Sequence, residues 1–478
     1  MAGRWVDGER GFAVENPADE SIIAEAGVTP LAEVREAIAQ ARRSFDDGIW
    51  ADRPVAERAQ ILHAMLDHVD ATRAPLVATI VAEAGQPAGM AEGAQVTMGL
   101  NLARQTIDLY ESMSKEEPNP VPLDDLIRGR VAHSYRRYEP VGVVSAITPY
   151  NGAIIMAFQK LVPALMAGCS VILRPSPLTP LSSLVFGTAA DVAGLPAGVL
   201  SVIVEDGASG AELLTSDPAV DMVSFTGSTS VGRQILAQAA PTVKRVSLEL
   251  GGKSAQIYLD DAVDKVGGGA FMVVVMTSGQ ACVAATRMLV PQDRKDEVLE
   301  TVKATYGTIS VGSPSDPSKL MGPLINAAAR ERCERYVELA EQHGGKVVTG
   351  GGRPAAPEKG YYFEPTVLDV PSNDNPAAQD EIFGPVLTVI GYEGVDDAVR
   401  IANDSPYGLS AQVYGHDVSA ATAVARRLRT GAVNVNASVF SAYAAGGGYK
   451  QSGLGRERGP EGIREFQEVK HMAIGELK

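Results

Sequence analysis

Two stretches of this 478-residue chain carry side chains of the types that do covalent chemistry. The first, Val246-Ser247-Leu248-Glu249-Leu250-Gly251-Gly252-Lys253-Ser254, sets one carboxylate at the end of an apolar run, just before paired glycines. The second, Thr277-Ser278-Gly279-Gln280-Ala281-Cys282-Val283-Ala284-Ala285-Thr286-Arg287, sets one cysteine in a turn of small residues. Together they supply a thiol nucleophile and a base that can later activate water. An unperturbed thiol has a pKa of ~8.5 and is mostly protonated at neutral pH, so a neighbour must activate it or a substrate must be held against the thiolate fraction. A carboxylate in an apolar run is costly to bury unless it is paired or used, and partial burial raises its pKa toward the range of a general base. The small neighbours of Cys282 leave room for a substrate, whereas Cys169 and Cys333 lack such a setting and read as structural thiols.

Three further segments bear on the same chemistry. Thr148-Pro149-Tyr150-Asn151 follows an apolar run at 143–147, and Asn151 offers an amide donor of the kind that stabilises a developing oxyanion. Phe225-Thr226-Gly227-Ser228-Thr229-Ser230-Val231-Gly232 joins a strand pattern to a helix pattern, offering Ser228 and backbone N–H groups to a pyrophosphate. No Gly-x-Gly-x-x-Gly fingerprint follows a strand. Gly251-Gly252-Lys253-Ser254 looks like the tail of a phosphate-binding P-loop, but Ser247 stands where its first glycine is required, which excludes that motif.

These residues need a scaffold, and the pattern of the chain describes one. Residues 31–111 read as helical, with apolar residues three and four apart, such as Ile61, Met65 and Leu66 and then Val77, Ile80 and Val81. The Pro/Asn/Glu-rich segment 116–125 reads as a linker, and 127–138 as a polar strand suited to pairing with another subunit. Beyond Val141, short β-branched runs at 143–147, 171–173, 199–204, 222–225 and 246–250 alternate with helical patterns at 154–167 and 231–239, the signature of buried parallel strands in βαβ units. A second series of strands is expected near 288–290, 347–348, 386–390, 412–414 and 432–436. No solenoid period is present.

Length argues for about three domains. A net charge of −16 argues against nucleic acid and anionic membranes as partners. Apolar runs such as 270–276 fall short of the ~20 residues that span a bilayer, and the N-terminal segment has no apolar signal core. Three scattered cysteines fit free thiols in a reducing compartment, so a cytoplasmic location is expected. The six histidines are scattered too, and no metal site is expected.

Glu249-Leu250-Gly251-Gly252-Lys253-Ser254 and Gly279-Gln280-Ala281-Cys282 resemble the two signature segments of the NAD(P)-dependent aldehyde dehydrogenase superfamily, and the resemblance runs from about Asn16-Pro17 to the C-terminus. It implies an α/β fold with a Rossmann-type cofactor domain at 1–117 and 141–250, an α/β catalytic domain at 251–452, and a small β oligomerisation element at 118–140 and 453–478 serving a homodimer or homotetramer. The implied reaction is oxidation of an aldehyde to a carboxylic acid through a cysteine thiohemiacetal and thioester. Cys282 would be the nucleophile, Glu249 the base, and Asn151 with the Cys282 N–H the oxyanion donors; Lys160 matches a position near the proton path. Cofactor contacts carry over to Thr148, Pro149, Ser176, Phe225, Gly227, Ser228, Leu250 and Gly251, with Glu381 at the nicotinamide ribose and Phe383 packing beside it. Leu173-Arg174-Pro175-Ser176-Pro177 stands where the family has Lys-Pro-Ser-Glu. Arg174 and Pro177 thus replace the pair that meets the adenosine ribose, and Arg174 could pair with a 2′-phosphate; NAD is expected, with NADP as the alternative. Asn436 and Gly447-Gly448-Tyr449-Lys450-Gln451-Ser452-Gly453 match the family near the substrate mouth. Ala445-Gly446 replaces the Pro-Phe found there, which suggests a wider or more mobile entrance. The rival readings are a relative that passes the thioester to coenzyme A, or a retired enzyme kept as a ligand-binding or structural protein. Glu249 favours water, and intact Cys282, Glu249 and Asn151 argue against retirement.

Overall fold

The computed structural model describes residues 3–119 and 133–474. Two sheets dominate it. The first has six strands in the order Gly453–Leu454, Arg245–Glu249, Met222–Thr226, Val143–Ile147, Ser170–Arg174, Leu200–Val202, all parallel except the first. Every residue of Val143–Ile147, Ser170–Arg174 and Met222–Thr226 is buried, which is why these strands show in the sequence as mostly apolar runs. Helices cover both faces. Val55–Ala71, Arg73–Ala84, Met98–Ser112 and Ala153–Ala167 pack on one side around Leu62, Leu100, Phe158 and Leu161. On the other side Leu31–Asp46 buries Val34, Ile38 and Ala41 against Val143 and Ile172.

The second sheet runs Lys346–Thr349, Thr366–Asp369, Val386–Tyr392, Arg287–Pro291, Ala255–Tyr258, Ser410–Tyr414, Ala432–Val435, parallel throughout except for its first pair. A third, antiparallel sheet joins Gln467–Ile474 to His133–Pro140 and Glu116–Pro118.

Several expectations need correction. Ala255–Tyr258 and Thr366–Asp369 are strands that the sequence pattern did not single out; Gln256 interrupts the apolar residues of one, and Pro365 stands as a turn signal at the head of the other. Glu116–Pro118, read as the start of a linker, pairs with His133–Pro140, because pairing needs only an edge and not an apolar face. Residues 120–132 of the expected linker and strand lie outside the described residues. Gly453–Leu454, assigned to the oligomerisation element, instead closes the edge of the first sheet beside Glu249. Gly453 approaches the Leu248 carbonyl so closely that a side-chain carbon there would overlap it.

Candidate active site

The strands of the first sheet end together. Ile147 is level with Arg174 on one side and Phe225 on the other, and Thr226 is level with Glu249. Ligands of open α/β sheets collect at this carboxyl edge. A cavity of about 490 Å³ lies there, between the two large sheets. Its walls include Asn151, Glu249 and Cys282, together with Thr148, Pro149, Arg174, Ser176, Pro177, Phe225, Gly227, Ser228, Leu250, Gly251, Glu381 and Phe383. Of the residues singled out in the sequence for catalysis or cofactor, Lys160 alone is not a wall residue.

The cysteine loop is held by its neighbours. Thr277 and Ser278 adopt left-handed backbone angles, φ 49° and 56°, which non-glycine residues keep only when the surroundings enforce them. Ser278 Oγ donates to Gly322 O at 2.9 Å, and Gln280 Oε1 accepts from Ile325 N at 3.0 Å and from Tyr150 Oη at 3.2 Å. Asn151 Nδ2 donates to Gln280 O at 2.7 Å, tying the amide to the loop two residues before the thiol. Gln86 and Gln95 each donate to the Asn151 carbonyl at 2.9 Å, so Asn151 is fixed from both ends.

The paired glycines bring the rest close. A side-chain carbon on Gly252 would overlap the Cys282 carbonyl, and one on Gly251 would overlap the Glu381 carboxylate. Gly252 N donates to Glu381 Oε1 at 3.0 Å. Phe383 packs edge-on against Tyr150, ring centroids 6.0 Å apart.

Charge is distributed unevenly. Burial pushes the Cys282 thiol up to about 12, and the nearby carboxylates of Glu381, Glu249 and Glu457 push the same way. Glu249 is 9% exposed, and its Oε1 has no hydrogen-bond partner among the described residues. Burial, and next the Glu457 carboxylate, hold the Glu249 carboxyl well above the ordinary carboxylate range; Lys160, Arg458 and Arg456 pull it back. Lys160 is 1% exposed and ion-paired to Glu457 at 2.6 Å, with Ser224 Oγ at 3.1 Å, so it acts on Glu249 through charge and not by contact.

Arg174 is already engaged. Its Nε lies 2.8 Å from Glu205 Oε1, and its Nη2 donates to Gly207 O at 2.6 Å. At Gly446, matched to the entrance, a side-chain carbon would overlap the guanidinium of Arg458, which stacks 4.0 Å over the Phe440 ring. Asn436, matched to the substrate mouth, is exposed and spends its side chain on Gly415 N and O at 2.9 and 2.7 Å.

The sequence reading missed Arg332 and Asn326, which line the cavity from the helix Ala327–Gln342 and its cap. It also missed Glu205, Glu457 and Arg458. Glu457 lies 297 positions from its partner Lys160, and no local pattern announces such a pair.

The cradle fits a dinucleotide. Thr148 Oγ1 and Thr226 Oγ1 are buried wall atoms without partners among the described residues. Ser228 caps the eleven-residue helix Thr229–Ala239, whose first amides face the end of Met222–Thr226. Ile147, Val231, Ile235 and Leu250 supply apolar walls. Among the described residues no cluster could hold a metal ion, and no helix is long and apolar enough to cross a membrane.

Residues 5–472 match the model of the aldehyde dehydrogenase family. The chain is 37% identical to geranial dehydrogenase of Castellaniella defragrans, over 99% of this chain and 98% of that protein. Among solved structures, a cysteine-to-alanine mutant of aldehyde dehydrogenase C from Pseudomonas syringae, bound to NAD+ and octanal, superposes with a TM-score of 0.93 at 36% identity, covering 99% of this chain and 95% of that one. Betaine aldehyde dehydrogenase from Staphylococcus aureus, bound to NAD+, gives a TM-score of 0.93 at 32% identity, covering 99% and 93%.

Proposed function

This chain belongs to the aldehyde dehydrogenase family, and from that premise we propose that Cys282, Glu249 and Asn151 carry out the NAD(P)-dependent oxidation of an aldehyde to a carboxylic acid. The observation that carries the assignment is the cavity itself, which gathers the thiol, an unpartnered buried carboxylate, a fixed amide donor and a helix N-terminus from separate parts of the chain.

The Cys282 sulfur attacks the aldehyde carbon while its proton passes to a base, and Glu249 has the free oxygen to take it. Negative charge forms on the carbonyl oxygen, where the second N–H of the Asn151 amide and the Cys282 backbone N–H are the donors. The oxyanion collapses with loss of hydride from the same carbon to the dinucleotide that would be bound here, leaving a thioester on Cys282. Glu381 and Phe383 would hold its ribose near Cys282, and Ser228 with the first amides of Thr229–Ala239 would take the pyrophosphate. Glu249 passes the thiol proton to solvent and then removes a proton from water; the resulting attack on the thioester carbon breaks the C–S bond, releasing the acid and a thiolate that takes up the proton held by Glu249. Glu457 and Lys160, paired behind Glu249, set its proton affinity. A free buried carboxylate beside the sulfur supports transfer to water over transfer to coenzyme A.

Cys282→Ala removes the covalent handle and should abolish aldehyde oxidation. Glu249→Gln should give a slowed burst of reduced cofactor of about one equivalent and then stall, as expected when the thiol loses its base and the thioester that forms is not hydrolysed. Undiminished steady turnover by Glu249→Gln would sink the assignment.

The cofactor domain is assigned to 1–117 and 141–250 with the edge strand Gly453–Leu454, and the catalytic domain to 251–452. The three-stranded sheet is assigned to self-association into a homodimer or homotetramer, supported by exposed Val469 and Ile474 on its outer strand. Light scattering of the intact protein tests this directly. Three free cysteines suit a reducing, cytoplasmic setting.

A further inference from the structure

Arg174 ends the strand three places across the first sheet from the strand that ends in Glu249. At a spacing of about 4.8 Å per strand, the two ends of the cavity are roughly 14 Å apart. A dinucleotide with its nicotinamide against Cys282 therefore sets its adenosine ribose toward Arg174. A cation at that place, with Pro177 as its wall neighbour in place of a carboxylate, would by itself welcome a 2′-phosphate.

The surroundings of Arg174 reverse that expectation. Its side chain is 11% exposed and that of Glu205 8%, and they meet at 2.8 Å. Glu205 is fixed in turn by the first turn of the helix Ser209–Ser216: Gly210 N donates to Oε2 at 2.7 Å, and Ala211 N donates to Oε1 at 3.1 Å. Gly207 O takes a second face of the guanidinium at 2.6 Å. Arg174 therefore cannot turn a bidentate fork on a phosphate without breaking its pairing with the buried Glu205 carboxylate. Glu212, also on the wall, adds a second carboxylate at this end. Arg332 is the other wall cation among the described residues, and it acts on Glu381 at the opposite end. The remaining N–H groups of Arg174 still suit a neutral ribose hydroxyl.

We propose that the Arg174–Glu205 pair makes this chain select a dinucleotide with a free 2′-hydroxyl over one with a 2′-phosphate, and that Glu205 is the residue that sets the preference. This rests on the reading of the cavity as a dinucleotide site. The test is calorimetric binding of NAD+ and NADP+ to the full-length protein, without aldehyde. Wild type should bind NAD+ at least about tenfold more tightly than NADP+. Glu205→Gln should bring the two to within about threefold by strengthening NADP+, as expected when one carboxylate charge is removed beside a phosphate site. Adding Arg174→Met to Glu205→Gln should remove that gain, since the freed guanidinium is what the phosphate uses. Equal affinity of wild type for both nucleotides overturns the proposal with no variant needed. An unchanged ratio in a Glu205→Gln protein that keeps its helical circular dichroism overturns it as well. Failure of wild type to bind either nucleotide would instead overturn the dinucleotide reading.

Discussion

The two ends of one cavity treat their polar groups in opposite ways. Around Cys282 they are left short of partners: Glu249 Oε1 and Arg458 Nε are buried and unbonded among the described residues, and the thiol faces carboxylates. At Arg174 the charges meet directly, with the guanidinium bonded to Glu205 and Gly207 and the Glu205 carboxylate bonded by two amides. An unsatisfied buried group is poised to bind or move a proton, because doing so recovers part of its desolvation cost. A satisfied one resists change, which suits discrimination and not reaction. The end that reacts should therefore answer to mutation in rate and pH profile, and the paired end in nucleotide ratio.

The largest effect outside Cys282 and Glu249 is expected at Asn151. Asn151→Ala should lower kcat by about 10²- to 10³-fold, the usual loss for one oxyanion donor, with nucleotide affinity little changed. Single-turnover formation of reduced cofactor is the measurement, since it isolates the step in which the oxyanion forms. A loss confined to the nucleotide dissociation constant would erase the contrast between the two ends.

How much of this was legible in the sequence follows the same division. Cys282, Glu249 and Asn151 stand in contiguous motifs whose residue types are needed for chemistry, and the parallel strands that present Glu249 and Asn151 are short, mostly apolar β-branched runs. Glu205, Glu457 and Arg458 were not legible. Each matters through a partner placed by folding, 31 positions away for Arg174 and 297 for Lys160, and neither spacing has a local period. Gly446 shows the same limit, because the missing side chain was visible but the guanidinium that fills its place comes from another turn of chain. Ala255–Tyr258 escaped because Gln256 interrupts its apolar residues and only the neighbouring strands, distant in sequence, bury it.

The next effect in size concerns proton affinity. Glu457 is the strongest charge raising the Glu249 carboxyl, after burial itself. In wild type, kcat/KM should rise with pH along a limb set well above the ordinary carboxylate range, since only ionised Glu249 accepts a proton. Glu457→Gln should move that limb toward acid, because one anion is gone and the Lys160 cation is no longer neutralised. A limb that stays in place would show that Glu249 is not the titrating base.

Arg458 provides the smallest effect and the sharpest check, because its sign is opposite. Its backbone is left-handed at φ 62°, its guanidinium stacks on Phe440, and it favours the ionised form of Glu249 after Lys160 does. Arg458→Met keeps much of the volume and removes the charge, so the limb should move toward alkali by less than Glu457→Gln moves it toward acid. Loss of packing alone would lower thermal stability and scale the whole profile without displacing it. Shifts of opposite sign in the two variants would show that buried charge at the Cys282 end tunes the base. Shifts of the same sign would mean that the two side chains act through a common change of shape, and the contrast with the paired Arg174 end would lose its electrostatic meaning.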